Sequence, residues 1–257
     1  MAVARTLVLL HGLTDSGASW ADAVRRWTAA GWTVVAPDAR GHGSAPRWTA
    51  DRIAARPGEV MADDVATLLT DGTVGDGSVA LVGHSMGAAV AVAAAARVPG
   101  RVWAVVAEDP PWSLPPRGPD PVRAAEWVRD HDRDQATPRQ ERIDRQRAES
   151  PRWPQVELPA WAEAKEQVDR ALLASGDILP TTPWPNLVTA TTAAGVPLLV
   201  VTGTRDVRVD ARAEAEARAR GAVVVRLRDA GHCVRRDDVD GYHRVVDPFL
   251  TDRAPGP

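Results

Sequence analysis

Three side chains lying far apart in the chain have the types needed to make a serine reactive. Ser85 sits within Gly83-His84-Ser85-Met86-Gly87, His232 follows Ala230-Gly231, and Asp206 follows Gly203-Thr204-Arg205. At neutral pH a serine hydroxyl is a weak nucleophile. It needs an imidazole within hydrogen-bond reach to take its proton, and that imidazole needs a carboxylate behind it to hold one tautomer and stabilise the cation. Asp206 is the first choice for that carboxylate. Asp109, with Glu108 beside it, is the alternative.

These residues need a scaffold that delivers them to one edge. Val79-Ala80-Leu81-Val82 is an apolar run without polar alternation, which reads as a strand buried on both faces, and the alanine-rich stretch from Met86 to Arg97 reads as a helix packed close to it. Ser85 then lies on the turn between them, at a helix N-terminus whose free N–H groups favour a developing oxyanion. Gly83 and Gly87 suit a bend so sharp that a Cβ on either side would clash. Further strands are expected at Thr6–Leu10, Trp32–Pro37, Arg101–Ala107, Pro197–Gly203 and Ala222–Leu227. Helices are expected at Trp20–Ala30, Glu59–Thr70, Asp210–Arg220 and Val239–Leu250. Strands separated by helices predict an α/β protein: a mostly parallel sheet with helices on both faces. Asp109, Asp206 and His232 each follow a strand, so all three reach the edge that carries Ser85.

The alternation stops after Glu108-Asp109. Between Pro110 and Pro185 lie thirteen of the 21 prolines and five of the ten tryptophans, Trp112, Trp127, Trp153, Trp161 and Trp184. Helical pieces at Pro121–Asp130, Pro138–Glu149 and Ala160–Ala174, separated by proline, predict a helical lid inserted into one domain. Residues 1–111 and 191–257 form the expected core and 112–190 the lid. Set above the serine, the five indoles would line a pocket for an apolar substrate or form the lid's own small core.

At the Gly83–Gly87 motif the chain resembles the α/β-hydrolase superfamily, whose nucleophile elbow has this G-x-S-x-G pattern. The order Ser85, Asp206, His232 also resembles the superfamily's, although some relatives place the acid where Asp109 stands. The resemblance implies an oxyanion hole made by the backbone N–H groups of Leu13, in His11-Gly12-Leu13, and of Met86. The loop Asp38-Ala39-Arg40-Gly41-His42-Gly43-Ser44 resembles a loop common in these enzymes, with Asp38 and Arg40 expected to pair locally. It implies a serine esterase or lactonase acting through an acyl-enzyme, without a cofactor. The alternatives are carbon–carbon or amide bond hydrolysis on the same fold, or a ligand receptor that has kept the triad.

The totals exclude other classes. A chain of 257 residues suffices for one cored domain, and a net charge of −3 with interspersed basic residues gives no footprint for nucleic acid. Asp63 and Asp64 lack further ligands at metal-binding spacing, so no metal is expected. The single cysteine, Cys233, forms no internal disulfide and fits a reducing cytoplasm. Met1-Ala2-Val3-Ala4-Arg5 leads directly into a strand without leader character, and no apolar run reaches membrane-spanning length. The expected partner is a small apolar ester or lactone. Composition carries no signal for the oligomeric state.

Overall fold

The structure is a computed structural model that describes residues 5–114 and 118–256. The N-terminal tetrapeptide, read above as lacking a leader, and residues 115–117 of the proline-rich segment lie outside it. Six strands, β1 Thr6–Leu10, β2 Thr33–Val35, β3 Val79–His84, β4 Val102–Glu108, β5 Leu198–Thr202 and β6 Val223–Arg226, form one sheet in the order β2-β1-β3-β4-β5-β6. Every neighbouring pair is parallel. β1, β3, β4 and β5 occupy the middle, which explains their apolar runs: both faces are covered.

The period-2 alternation of strand side chains builds two separate cores from these runs. Val8, Leu10, Val79, Leu81, Val105, Ala107, Leu198 and Val200 point to one face. There α3 Pro57–Thr70, α4 Met86–Arg97, α9 Trp184–Ala193 and α10 Ala211–Ala219 contribute Val60, Val65, Ala91, Val188 and Ala217. Leu7, Leu9, Ala80, Val82, Ala104, Val106, Leu199 and Val201 point to the other, against α1 Ala21–Ala29 and α12 Val239–Arg253 with Trp27, Tyr242, Val246 and Leu250. α4 is buried along almost its whole length, which only small residues allow at the distance at which it crosses the sheet.

Between β4 and β5 the chain leaves the sheet and forms α5 Pro121–Ala136, α6 Arg139–Glu149, α7 Leu158–Gln167 and α8 Arg170–Ser175 before α9. The single helix expected over Ala160–Ala174 is two. Asp169 interrupts it: its carboxylate caps α8 through the Ala171 N–H at 3.0 Å and also accepts the Trp48 N–H at 2.9 Å, while its own N–H reaches the Gly41 carbonyl. Three bonds at one residue outweigh the uninterrupted helical pattern. The described residues also form the short helices α2 Ala50–Ala54 and α11 Val234–Asp237. No helix among the described residues is long and apolar enough to cross a membrane.

Candidate active site

β3 ends at His84, and Ser85 turns the chain into α4 with φ 51 and ψ −116. A non-glycine residue at positive φ costs about 1 kcal/mol or more and persists only where its surroundings over-determine it. Here the Ser85 N–H donates to the Glu108 carbonyl at 2.9 Å, and its C=O accepts from Ala88 and Ala89. A Cβ on Gly83 would strike the backbone of Gly87 and Ala88, and one on Gly87 would strike Leu10, so both positions require glycine. The hydroxyl is thereby raised at the carboxyl edge of the sheet.

The Ser85 hydroxyl donates to His232 Nε2 at 3.0 Å, and His232 Nδ1–H donates to Asp109 Oδ2 at 2.5 Å. The carboxylate bonded to the imidazole is therefore that of Asp109, the alternative named above, and not that of Asp206. Both aspartates have positive φ and both follow strands, but Asp109 directly follows β4 whereas Asp206 sits on an exposed turn beyond β5. With Ser85 and Asp109 on its two ring nitrogens, His232 has none left for Asp206. The loop carrying Asp206 serves the site in another way: Thr202 Oγ1 donates to Asp109 Oδ1 at 2.7 Å, Arg208 N–H to Oδ2 at 2.9 Å and Val209 N–H to Oδ1 at 3.1 Å. Asp109 is fully buried, so these donors replace its water.

Leu13 borders the cavity that holds Ser85, and Met86 follows Ser85 directly in the chain. Met86 is the first residue of α4, so its N–H has no acceptor within the helix. Leu13 is oriented by its neighbours. The Ala39 N–H donates to His11 Nε2 at 2.9 Å, which leaves the ring proton on Nδ1, and that proton goes to the Gly12 carbonyl at 2.8 Å. The Asp15 N–H reaches the same carbonyl. In a planar trans peptide a carbonyl held in this way turns the Leu13 N–H to the opposite side. His84 contributes likewise, its Nε2–H donating to the His232 carbonyl at 3.1 Å. Sequence alone reads the His11 and His84 side chains as packing and gives no role to Thr202 or to the Arg208 and Val209 amides. Their role is visible only as contacts between loops distant in the chain, and no local pattern signals it.

These histidines are held neutral. Burial lowers the pKa of His11, and burial together with the nearby His232 lowers that of His84 well below the usual imidazole value. Burial and the neighbouring His11 bring His42 down to about 4, although the Leu13 and Arg40 carbonyls at its ring nitrogens act the other way. A histidine whose pKa is lower folded than unfolded binds its proton more readily in the unfolded chain, so its contribution is complete above about pH 6.5 and is lost as pH falls toward 4. His42 alone should lose about 3 kcal/mol of stability across that window. Urea midpoints at pH 7, 6 and 5 should fall progressively, and a midpoint flat from pH 7 to 5 would contradict this assignment.

Behind the imidazole lies a buried ionic cluster. Arg236 donates to Glu157 at 2.7 Å and to both Asp15 oxygens at 3.1 and 3.3 Å, and Arg235 binds Glu108 through its N–H at 2.8 Å while its guanidinium lies 3.9 Å from the Trp20 ring centroid. Burial acts to raise the Asp15 carboxyl, but the Arg236 and Arg235 guanidinia outweigh it and hold the group below the ordinary carboxylate range. Burial raises Glu108. Burial also pushes the Cys233 thiol up to about 12, which leaves it unreactive at neutral pH. Arg40 does not pair with Asp38 as expected. It makes a two-pronged pair with Asp64 at 2.9 and 3.0 Å, while Asp38 accepts from Gly17 and Ser44 and so closes its own loop.

Ser85 and His232 open into a cavity of about 540 Å³. Of the five tryptophans proposed to line it, Trp127 and Trp161 do. Trp153 is committed elsewhere, its Nε1–H donating to Asp237 at 2.7 Å and its ring covered by Arg236. Trp112 and Trp184 stack on each other with centroids 4.4 Å apart and border a different cavity. The wall is mixed: Trp127, Trp161, Leu173 and Ile178 stand beside Arg123, Arg145, Lys165, Arg208, Asp134 and Glu149.

Fold and site together define a parallel α/β protein with a hydrogen-bonded serine, histidine and aspartate at the carboxyl edge of its sheet. The chain belongs to the alpha/beta hydrolase family, whose profile matches residues 7–245. It is 39% identical over 84 residues to the non-heme chloroperoxidase CPO-A1 of Kitasatospora aureofaciens, a stretch covering 32% of this chain and 28% of that protein. It is 37% identical over 108 residues to the lipase LipV of Mycobacterium tuberculosis, covering 42% of this chain and 38% of that protein. The chain therefore spans less than half the length of either relative. Among solved structures, E-2-(acetamidomethylene)succinate hydrolase is similar with a TM-score of 0.74 at 22% identity, over 97% of this chain and 92% of that one. At that identity the likeness is one of fold.

Proposed function

We propose that this hydrolase cleaves a carboxylic ester or lactone of a small molecule through an acyl-enzyme on Ser85. The supporting observation is the unbroken path from the Ser85 hydroxyl through both nitrogens of His232 to the buried carboxylate of Asp109. Ser85 Oγ attacks the carbonyl carbon as His232 Nε2 takes its proton. Asp109 holds Nδ1–H and stabilises the imidazolium. The Leu13 and Met86 N–H groups bind the oxyanion, each contributing about 3 kcal/mol of transition-state stabilisation. The imidazolium returns its proton to the leaving alcohol, and a water deprotonated by the neutral ring then releases the acid.

The test is covalent. An organophosphate such as diethyl 4-nitrophenyl phosphate should modify the protein once, with the added mass mapping to Ser85, and hydrolysis of 4-nitrophenyl butyrate should disappear in proportion to labelling. The Ser85→Ala protein should take no label. Ester hydrolysis that survives complete labelling would end this reading.

A further inference from the structure

Lys165 is a charged group in the Ser85 cavity that the mechanism above does not use. It projects from α7, its ammonium donates to the Thr14 hydroxyl, and it lies 5.1 Å from the Trp161 ring centroid. Thr14 directly follows Leu13, so the ammonium is hydrogen-bonded to the chain neighbour of the proposed oxyanion donor. Two carboxylates face it through space, Asp15 and Asp134, and neither pairs with it directly among the described residues. Both Asp15 oxygens are taken by Arg236. An ammonium has three donors. Lys165 thus brings two further donors and an unpaired charge to a half-buried wall, where burial lowers its pKa and makes an anionic partner more valuable. Arg208, on the loop that holds Asp109, borders the same cavity and extends its positive side.

We propose that Lys165 selects substrates bearing a free carboxylate a few bonds from the scissile carbonyl. The preferred substrate class is then a half-ester of a short dicarboxylic acid, not the apolar ester suggested by the tryptophan count. This rests on the serine hydrolase reading above. With the acyl oxygen at the Leu13 amide, a carboxylate on the acyl chain reaches past Thr14 to the ammonium, and Trp161 shields that ion pair from solvent.

Two esters of one skeleton separate the charge from the shape: mono-4-nitrophenyl fumarate and 4-nitrophenyl crotonate, whose trans double bond keeps the carboxylate from attacking its own ester. With each rate divided by that ester's hydroxide-catalysed rate, wild-type kcat/KM should favour the fumarate about tenfold or more, as a charge-assisted hydrogen bond implies. Lys165→Met should remove most of that preference, chiefly through KM, and Lys165→Arg should restore part of it. A second measurement needs no turnover. Calorimetry should show fumarate binding to the Ser85→Ala protein and binding about tenfold more weakly once Lys165→Met is added. A wild-type enzyme without preference for the anion, or a Lys165→Met variant that slows both esters equally as a purely structural tether would, overturns the proposal. If neither ester is turned over, the hydrolase reading fails, and the fumarate titration still decides for or against Lys165.

Discussion

Replacing Asp109 with asparagine should lower kcat for 4-nitrophenyl butyrate by about 10³ to 10⁴, while Asp206→Asn should stay within about threefold of wild type. The first loss arises because an amide cannot do what the carboxylate does at His232. It carries no charge to stabilise the imidazolium, and it can present its NH₂ to Nδ1 and so stabilise the tautomer that places the proton on Nε2, where Ser85 needs a base. Volume hardly changes, and the amide oxygen can keep the Thr202 and Val209 donors, but an NH₂ at the Oδ2 position faces the Arg208 N–H donor without accepting from it, which adds to the loss. Asp206 is exposed and makes no bond to His232, so removing its charge reaches the imidazole only through solvent. Steady-state rates with both variants, and circular dichroism to verify folding, measure this directly. A large loss in Asp206→Asn with Asp109→Asn near wild type would mean that His232 exchanges its partner during turnover.

The difference between these two aspartates also marks where sequence stopped being informative. The strands that carry the site were readable because β1, β3, β4 and β5 are buried on both faces and therefore spell unbroken apolar runs. The elbow was readable because Gly83 and Gly87 are demanded by backbone contact, a local requirement that leaves a local trace. Which carboxylate meets His232 depends on something else: β4 and β5 are neighbours, so the carboxylate just beyond one is wrapped by donors from the loop after the other. Neither segment encodes that adjacency alone. Helix α9 escaped for a related reason. Its Val188, Thr189, Thr191 and Thr192 are poor helix formers, and its helical state comes from packing on α4, where Thr191 Oγ1 donates to the Val92 carbonyl at 3.2 Å. The tryptophans were counted as one group, but Trp153 is held by a carboxylate and a guanidinium, Trp112 and Trp184 stack on each other, and Trp127 and Trp161 face the Ser85 cavity.

The buried cluster around Arg236 carries the second large expected effect. Arg236→Met should destabilise the protein by about 3 to 5 kcal/mol, seen as a lower urea midpoint at pH 7. The cause is what remains behind more than what is removed: Asp15 and Glu157 are both buried, and Arg236 is the cation that hydrogen-bonds to each of them. Burial alone would lower the pKa of Arg236, yet Asp15 and Glu157 hold it well above its usual value, which expresses the same coupling from the other side. Asp15 also donates its N–H to the Gly12 carbonyl, so the variant should loosen the Leu13 amide and lower kcat more than it raises KM. The triple change Asp15→Asn, Glu157→Gln, Arg236→Met removes the stranded charges along with their partner. It should recover most of the lost stability, because desolvating the whole ion cluster costs nearly as much as its attraction returns. Recovery of stability without recovery of kcat would assign the cluster to positioning the oxyanion loop. An Arg236→Met protein within about 1 kcal/mol of wild type would instead mean that water enters the cluster and that the guanidinium does not carry the stabilisation described here.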